Sequence, residues 1–99
     1  MIPMSGSETR PRLPRPHPGV IFNTLSDGAV LLHASSEIYF GLNRVGSRVW
    51  QLLPPECDSF EELCRQLSQE YPEVGVDQLS ADVQELLESL RAHQLVVNP

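Results

Sequence analysis

Three short runs of β-forming residues follow one another between Gly19 and Asn43, with only brief turns between them. These runs are rich in β-branched and aromatic residues, which favour strands. Because such short turns join neighbouring antiparallel strands, the pattern predicts a three-stranded meander. At the first turn, Asp27 and Gly28 are expected to supply the positive φ of a tight hairpin. The predicted strands cover residues 20–25, 29–33 and 37–42.

After Asn43 the apolar residues recur at helical spacing, which predicts three helices. Asn43 is expected to cap the first helix, and Pro54 to stop it. Ser59 and Glu62 have the spacing of a capping box at the start of the second helix, and the third is expected to begin near Asp77. The apolar face of the third helix comprises Leu79, Val83, Leu86, Leu87 and Leu90.

The order of elements is therefore three strands followed by three helices. Three strands cannot bury an apolar face alone, so the helices are expected to cover one side of the sheet. This order predicts an α+β fold of winged-helix-like type, in which a three-stranded antiparallel sheet packs on three helices. Cys57 and Cys64 lack the spacing of a metal site or of a helical disulfide, and are expected to be small buried residues.

The first eighteen residues differ from the rest of the chain. They contain five of the nine prolines, and three arginines against one glutamate give them a net charge of +2. Prolines remove backbone donors, so we expect residues 1–18 to form a disordered, basic, proline-rich arm. Residues 19–99 are expected to form the single folded domain. A plain arm is one interpretation of this run, and a proline-rich ligand for an aromatic groove is another.

The composition excludes several classes of function. Residues 19–99 carry four arginines against twelve acids, and this net charge of −8 disfavours a DNA-binding regulator. No apolar run has the length of a membrane span and no signal peptide is visible, so a cytoplasmic protein without a membrane partner is expected. The dispersed His17, His33 and His93 form no ligand or catalytic pattern. We therefore expect no enzyme activity, no metal and no cofactor.

The third predicted strand lies at the edge of the meander and leaves one row of backbone N–H and C=O groups unpaired. Its centre, Ile38-Tyr39-Phe40, is apolar, and only Glu37 and Gly41 disfavour pairing. Such an edge favours the addition of a peptide strand. Coverage of the edge by the last helix or by the arm is an equally good interpretation of the residues alone.

The residues around this edge resemble those of the PqqD-like proteins. The resemblance covers about residues 19–97, and its most specific part is Leu42-Asn43, Gly46 and Trp50. Asn43, Gly46 and Trp50 are interpreted as scaffold residues, through helix capping, close packing and core burial. Weaker matches comprise Gly28-Ala29-Val30-Leu31-Leu32, Tyr39-Phe40-Gly41, Phe60, Leu63, Tyr71, Val76-Asp77, Asp82-Val83, Leu86-Leu87 and Leu90.

The resemblance implies a non-catalytic recognition element for ribosomally synthesised modified peptides. In that family the precursor's leader adds to the third strand and lies against the last helix, with a Tyr and a nearby Pro as anchors. The segment from Tyr39 to Asn43 is most similar to stand-alone proteins of lasso-peptide biosynthesis, which implies a separate leader protease of cysteine-protease type as partner. A recognition protein for the radical enzyme of quinone-cofactor synthesis is the alternative. The implied peptide-binding residues are Glu37, Ile38, Tyr39, Phe40, Gly41, Leu79, Asp82, Val83 and Leu86.

Overall fold

The fold is built on a three-stranded antiparallel sheet. A computed structural model describes residues 12–98 of the chain. The strands are β1 Arg15–Pro16, β2 Val20–Leu25, β3 Gly28–His33, β4 Ile38–Asn43 and β5 Val96–Val97. In the sheet, β2, β3 and β4 lie side by side in that order, so the predicted meander is confirmed and β4 is an edge strand. The two short strands, β1 and β5, pair with each other.

The first hairpin turns without the predicted positive φ. Leu25 pairs with Gly28, so the turn consists of Ser26 and Asp27, and neither has a positive φ. Gly28 belongs to β3, and its φ is also not positive. The need for glycine here is steric, because a Cβ at Gly28 would clash with the carbonyl oxygen of Leu42 on β4. The prediction located the turn correctly but gave the wrong reason for its glycine.

Three helices follow β4: α1 Arg44–Leu52, α2 Phe60–Glu70 and α3 Val76–Ala92. The predicted caps are present, because Asn43 Oδ1 accepts from the Gly46 amide at 2.7 Å and Ser59 Oγ accepts from the Glu62 amide at 3.1 Å. Glu62 completes the second cap one residue earlier than a standard capping box, since it accepts from the amide of Asp58.

The helices pack on one face of the sheet and enclose the core between them. Strand residues alternate, so Ala29 and Leu31 of β3 point into this core. Trp50 and both cysteines, Cys57 and Cys64, are buried, as the sequence predicted. The least exposed members of the core are Leu31, Leu63, Leu67, Leu79, Val83, Leu90 and Leu95.

The predicted disordered arm is wrong for residues 12–18. Leu13 is 2% exposed and belongs to the core, and Pro14 is fully buried beside it. The amide of Leu13 donates to the carbonyl of Asp58 at 3.4 Å. Prolines weaken helices and central strands, but an apolar residue among them still gains by burial against a preformed surface. Residues 1–11 lie outside the described part of the chain.

The end of this segment pairs with the end of the chain. Arg15 and Pro16 lie opposite Val97 and Val96, and the amide of His17 donates to the Leu95 carbonyl at 3.0 Å. The apolar residues Val96 and Val97 near the end of the chain therefore form the short strand β5. We call residues 12–17 the N-terminal strap. The folded domain begins at least seven residues before the predicted boundary at residue 19.

An ion pair joins α1 to α2. Arg48 Nε and Nη2 donate to the two carboxylate oxygens of Glu70 at 2.7 and 2.8 Å. The hydrogen bond from Arg48 lowers the pKa of Glu70, against a smaller opposing effect of burial. A carboxylate with a lowered folded-state pKa stabilises the protein above its unfolded-state pKa, and this stabilisation is lost as the pH falls through the folded value.

We therefore expect Glu70→Gln to lower the free energy of unfolding at pH 7 by up to about 1 kcal/mol, since the pair is partly exposed. As the pH falls through the lowered folded-state pKa of Glu70, the carboxylate of the unmodified chain becomes protonated and this difference should diminish. Urea unfolding between pH 7 and pH 3 measures it. Glu73→Gln, at an exposed acid just beyond α2, is the control. A Glu70→Gln effect that is the same at pH 7 and pH 3 would contradict the assignment.

Candidate functional site

A groove lies between the edge strand β4 and helix α3, with the first turns of α1 beneath it. Its volume is about 390 Å³. The strand contributes Phe40, Gly41, Leu42 and Asn43, and α1 contributes Val45, Gly46 and Val49. The remaining lining residues are Val74, Leu79, Asp82, Val83, Glu85, Leu86 and Ser89. An open groove beside an unpaired strand edge is suited to an extended peptide.

One hydrogen bond defines which backbone groups face each edge of the sheet. The amide of Ala34 donates to the carbonyl of Gly19 at 3.0 Å, across the ends of β3 and β2. This bond flanks the pair Val20 and His33, which is therefore a non-hydrogen-bonded pair. His33 thus directs its own N–H and C=O toward β4. Consistently, its carbonyl accepts from the amide of Glu37 at 2.7 Å.

The alternation continues along β4. Ile38, Phe40 and Leu42 lie opposite His33, Leu31 and Ala29, so their backbone groups pair with β3. The backbone groups of Tyr39 and Gly41 consequently point to the free edge. These two residues present the donors and acceptors that an added strand would use.

The side chains of β4 alternate as well. Phe40 faces the groove, and its ring meets the ring of His93 edge-on with centroids 5.3 Å apart. Tyr39 faces the other side of the sheet and is 72% exposed. Ile38 and Tyr39 do not line the groove. Glu37 lies in the turn before β4 with a φ of 58°, so its prediction as the first strand residue is wrong. That φ belongs to the left-handed region, which cannot continue a strand.

On α3, the structure separates the predicted residues by depth. Leu79 and Val83 are each 1% exposed and form the floor of the groove as part of the core. Leu86 is half-buried in the wall. Asp82 is exposed at the rim, where its Oδ1 accepts from Gln78 Nε2 at 2.8 Å. The groove thus brings together Phe40 and Gly41 with these four residues of α3.

Sequence reasoning missed the contribution of α1 to the groove. Asn43 and Gly46 were interpreted as scaffold, yet both line it. A Cβ at Gly46 would lie only 3.2 Å from Asn43 Oδ1, so the glycine leaves room for the side chain that caps α1. Because α1 begins directly after β4, its first turn must lie beside the strand's edge. That connection was visible in the sequence. No feature of the sequence indicated that the groove would also be lined by Val74, Glu85 and Ser89.

The ionisable side chains that line the groove, Asp82 and Glu85, are both acidic. Burial raises the pKa of the Cys57 and Cys64 thiols, which makes them poor nucleophiles. Within residues 12–98, no three His, Cys, Asp or Glu side chains form a cluster able to hold a metal ion. In the same part of the chain, no helix is long and apolar enough to cross a membrane. The polar side chains that line the groove are Asn43, Asp82, Glu85 and Ser89, and the backbone groups of Tyr39 and Gly41 lie at its strand edge.

The fold and this groove define a winged-helix-like domain with an open strand edge. Residues 28–96 match the family model of coenzyme PQQ synthesis protein D (PqqD). The chain belongs to the PqqD family. It is also similar to a solved structure, TbiB1 in complex with the TbiA(beta) leader peptide. The two are 32% identical with a TM-score of 0.72, over 83% of this chain and 93% of that one. No curated protein matches the chain.

Proposed function

We propose that this chain is a non-catalytic adaptor that binds the leader segment of a ribosomally made precursor peptide. The observation that carries the proposal is the edge of β4, where the backbone groups of Tyr39 and Gly41 pair with no other strand of residues 12–98 and lie beside an apolar groove. Membership of the PqqD family and similarity to a protein bound to a leader peptide support it. The leader adds to β4 as a fourth strand.

Backbone pairing gives this binding little sequence selectivity, so the groove must supply it. Alternate leader side chains enter between Phe40 and Leu86, above the floor made by Leu79 and Val83. Ordering a free leader costs about 1–2 kcal/mol per residue. Burial of each apolar anchor contributes about 1.5–3 kcal/mol to binding, so one or two anchors decide whether the binding free energy is favourable. The resemblance to the family points to a tyrosine and a proline of the leader as these anchors.

The adaptor delivers the bound precursor to a separate maturation enzyme. The similarity of the segment from Tyr39 to Asn43 to stand-alone lasso-peptide proteins supports a leader protease of cysteine-protease type. The family name supports the alternative, a radical enzyme of quinone-cofactor synthesis. Affinity purification of the tagged chain with each enzyme, in the presence of its own precursor, distinguishes the two. Retention of the protease alone supports the first assignment, and retention of the radical enzyme alone supports the second.

Replacement of the leader's aromatic anchor by alanine is expected to weaken binding at least tenfold, because the groove recognises apolar surface. Asp82→Ala should weaken it less than fivefold, and that effect should fade at high salt, since Asp82 is exposed. Fluorescence anisotropy with a labelled leader peptide measures both.

Glu88→Ala is the matched control for Asp82→Ala, because Glu88 is an exposed acid of α3 that does not line the groove. It should leave the affinity unchanged. If Asp82→Ala abolishes binding while the aromatic anchor proves neutral, the groove is electrostatic and the proposed basis of selectivity fails.

A further inference from the structure

Gly41 is a glycine that the fold itself does not require. Its φ is not positive, and a Cβ built on it would meet no atom of residues 12–98 within 4 Å. By contrast, a Cβ at Gly28 or Gly46 would crowd a neighbouring atom. Gly41 is exposed in the interior of β4, where a glycine weakens the strand because it has no side chain to pack. Such a glycine often marks a place where a ligand approaches closely.

The missing side chain leaves a notch on the side of the sheet away from the helices. Because side chains alternate along β4, Phe40 faces the groove and position 41 faces away from it. Tyr39 and Asn43 lie on either side of this position along the strand, and Val30 lies opposite it on β3. We call the space bounded by these three side chains above Gly41 the Gly41 notch.

The back of the Gly41 notch is apolar. The backbone groups of Gly41 point to the edge, so Gly41 and Val30 form a non-hydrogen-bonded pair, in which the Cα atoms are about 4.5 Å apart. The half-buried side chain of Val30 therefore stands close behind the glycine. Neither Tyr39 nor Asn43 carries a charge. Such surroundings favour a large uncharged side chain, since a charged one would lose hydration without gaining a partner.

A strand added to β4 places one of its side chains at this notch. The added strand lies about 4.8 Å beyond β4, and its residue level with Gly41 has its side chain on the same face of the sheet. The residues before and after that one point into the groove. A long side chain that lies across Gly41 reaches Val30, in the way that aromatic side chains cover glycines of neighbouring strands.

We infer that the Gly41 notch receives a large uncharged side chain of the leader, for which an aromatic ring is the best fit. This inference rests on the proposed binding of a leader at β4 and deepens it. The leader is recognised on both faces of the strand that it forms: alternate side chains enter the groove, and the one between them lies in the notch. Gly41 is then a specificity-determining residue, because a side chain at this position closes the notch.

Gly41→Val tests the inference, because it fills the notch and keeps the backbone amide that strand addition uses. Valine also favours a strand, so the melting temperature should not fall. The probes are a synthetic peptide of the leader encoded with this chain and its single alanine variants. Anisotropy with the full chain measures each affinity. Asn23→Val is the matched control, since Asn23 lies opposite Val30 on β2, in the same row but away from the edge.

We expect Gly41→Val to weaken binding of the unmodified leader at least tenfold, because the burial of one large side chain is lost. Asn23→Val should change the affinity less than twofold. For one alanine variant of the leader, in which the side chain at the notch is removed, the wild-type chain and Gly41→Val should bind within twofold of each other. Gly41→Thr, which is also β-branched, should reproduce these results if Gly41→Val proves poorly folded.

Undiminished binding of the unmodified leader by folded Gly41→Val or Gly41→Thr overturns the inference. So does a loss of the same size for every alanine variant, which would place the effect in the backbone pairing, or a rescue by removal of a charged leader residue. A wild-type chain that binds no leader contradicts the proposed function itself, and the inference with it. The wild-type titration therefore separates failure of the proposed function from failure of the notch alone.

Discussion

Gly41→Pro is expected to weaken leader binding at least 30-fold, about 2 kcal/mol, in a protein that remains folded. The amide of Gly41 points to the free edge, so proline there removes a donor that β3 does not use. Its ring also occupies the space where the added strand must lie. Proline is tolerated in edge strands at outward-facing positions, which is why the fold should survive. Anisotropy with a labelled leader gives the affinity, and circular dichroism gives the fold.

Gly41→Ala is the matched control, because a Cβ at this position meets no atom within 4 Å. It keeps the amide and should bind within about threefold, or 0.7 kcal/mol. Phe40→Pro provides the opposite contrast. The amide of Phe40 points toward β3, so this change should disrupt the sheet itself. Full binding by a folded Gly41→Pro protein would refute strand addition at β4.

Leu13→Ala is expected to lower the free energy of unfolding by about 2–4 kcal/mol, although the residue lies in the proline-rich segment. Leu13 is buried in the core, so its truncation leaves a cavity beneath the N-terminal strap. For a chain of this size, the melting temperature should fall by about 10 °C or more. Urea unfolding and thermal melting measure the two quantities.

Arg15→Ala is the control for Leu13→Ala, since Arg15 is an exposed residue of the same segment. It should change the stability by less than about 0.5 kcal/mol. Removal of residues 1–17 should destabilise the protein at least as much as Leu13→Ala. A truncated protein as stable as the full chain would show that the strap contributes nothing to folding.

Most of the fold could be predicted from local patterns in the sequence. The β-branched and aromatic residues of the segment 20–25 favour a strand, and the apolar spacing of α3 specifies one buried face of a helix. Asn43 and Ser59 marked helix starts because their side chains satisfy free amides at those positions. The sheet, the three helices and their order could therefore be predicted.

The strap and the details of the edge could not be predicted, because they depend on tertiary contacts. Leu13 is a single apolar residue among prolines, so no periodic pattern indicates that it is buried. It is buried because α2 and α3 form the surface on which it packs. Likewise, alternation in the sequence shows which side chains share a face but not which amides are paired. The hydrogen bond from the Ala34 amide to the Gly19 carbonyl decides this, and it shows that the amide of Gly41, and not that of Phe40, points to the edge of β4.

Because β1 pairs with β5, the first and last strands of the domain lie side by side. Arg15 and Val97 are neighbours, so a linker of a few residues could join the strap to the last strand. New termini could then be opened in an exposed turn, such as Glu73 between α2 and α3. For the same reason the domain could be inserted into a host protein. The host chain would connect to the strap and to β5, and both junctions would lie at the same place. Transplanting this domain into an enzyme thus requires only a single attachment point, where β1 and β5 meet.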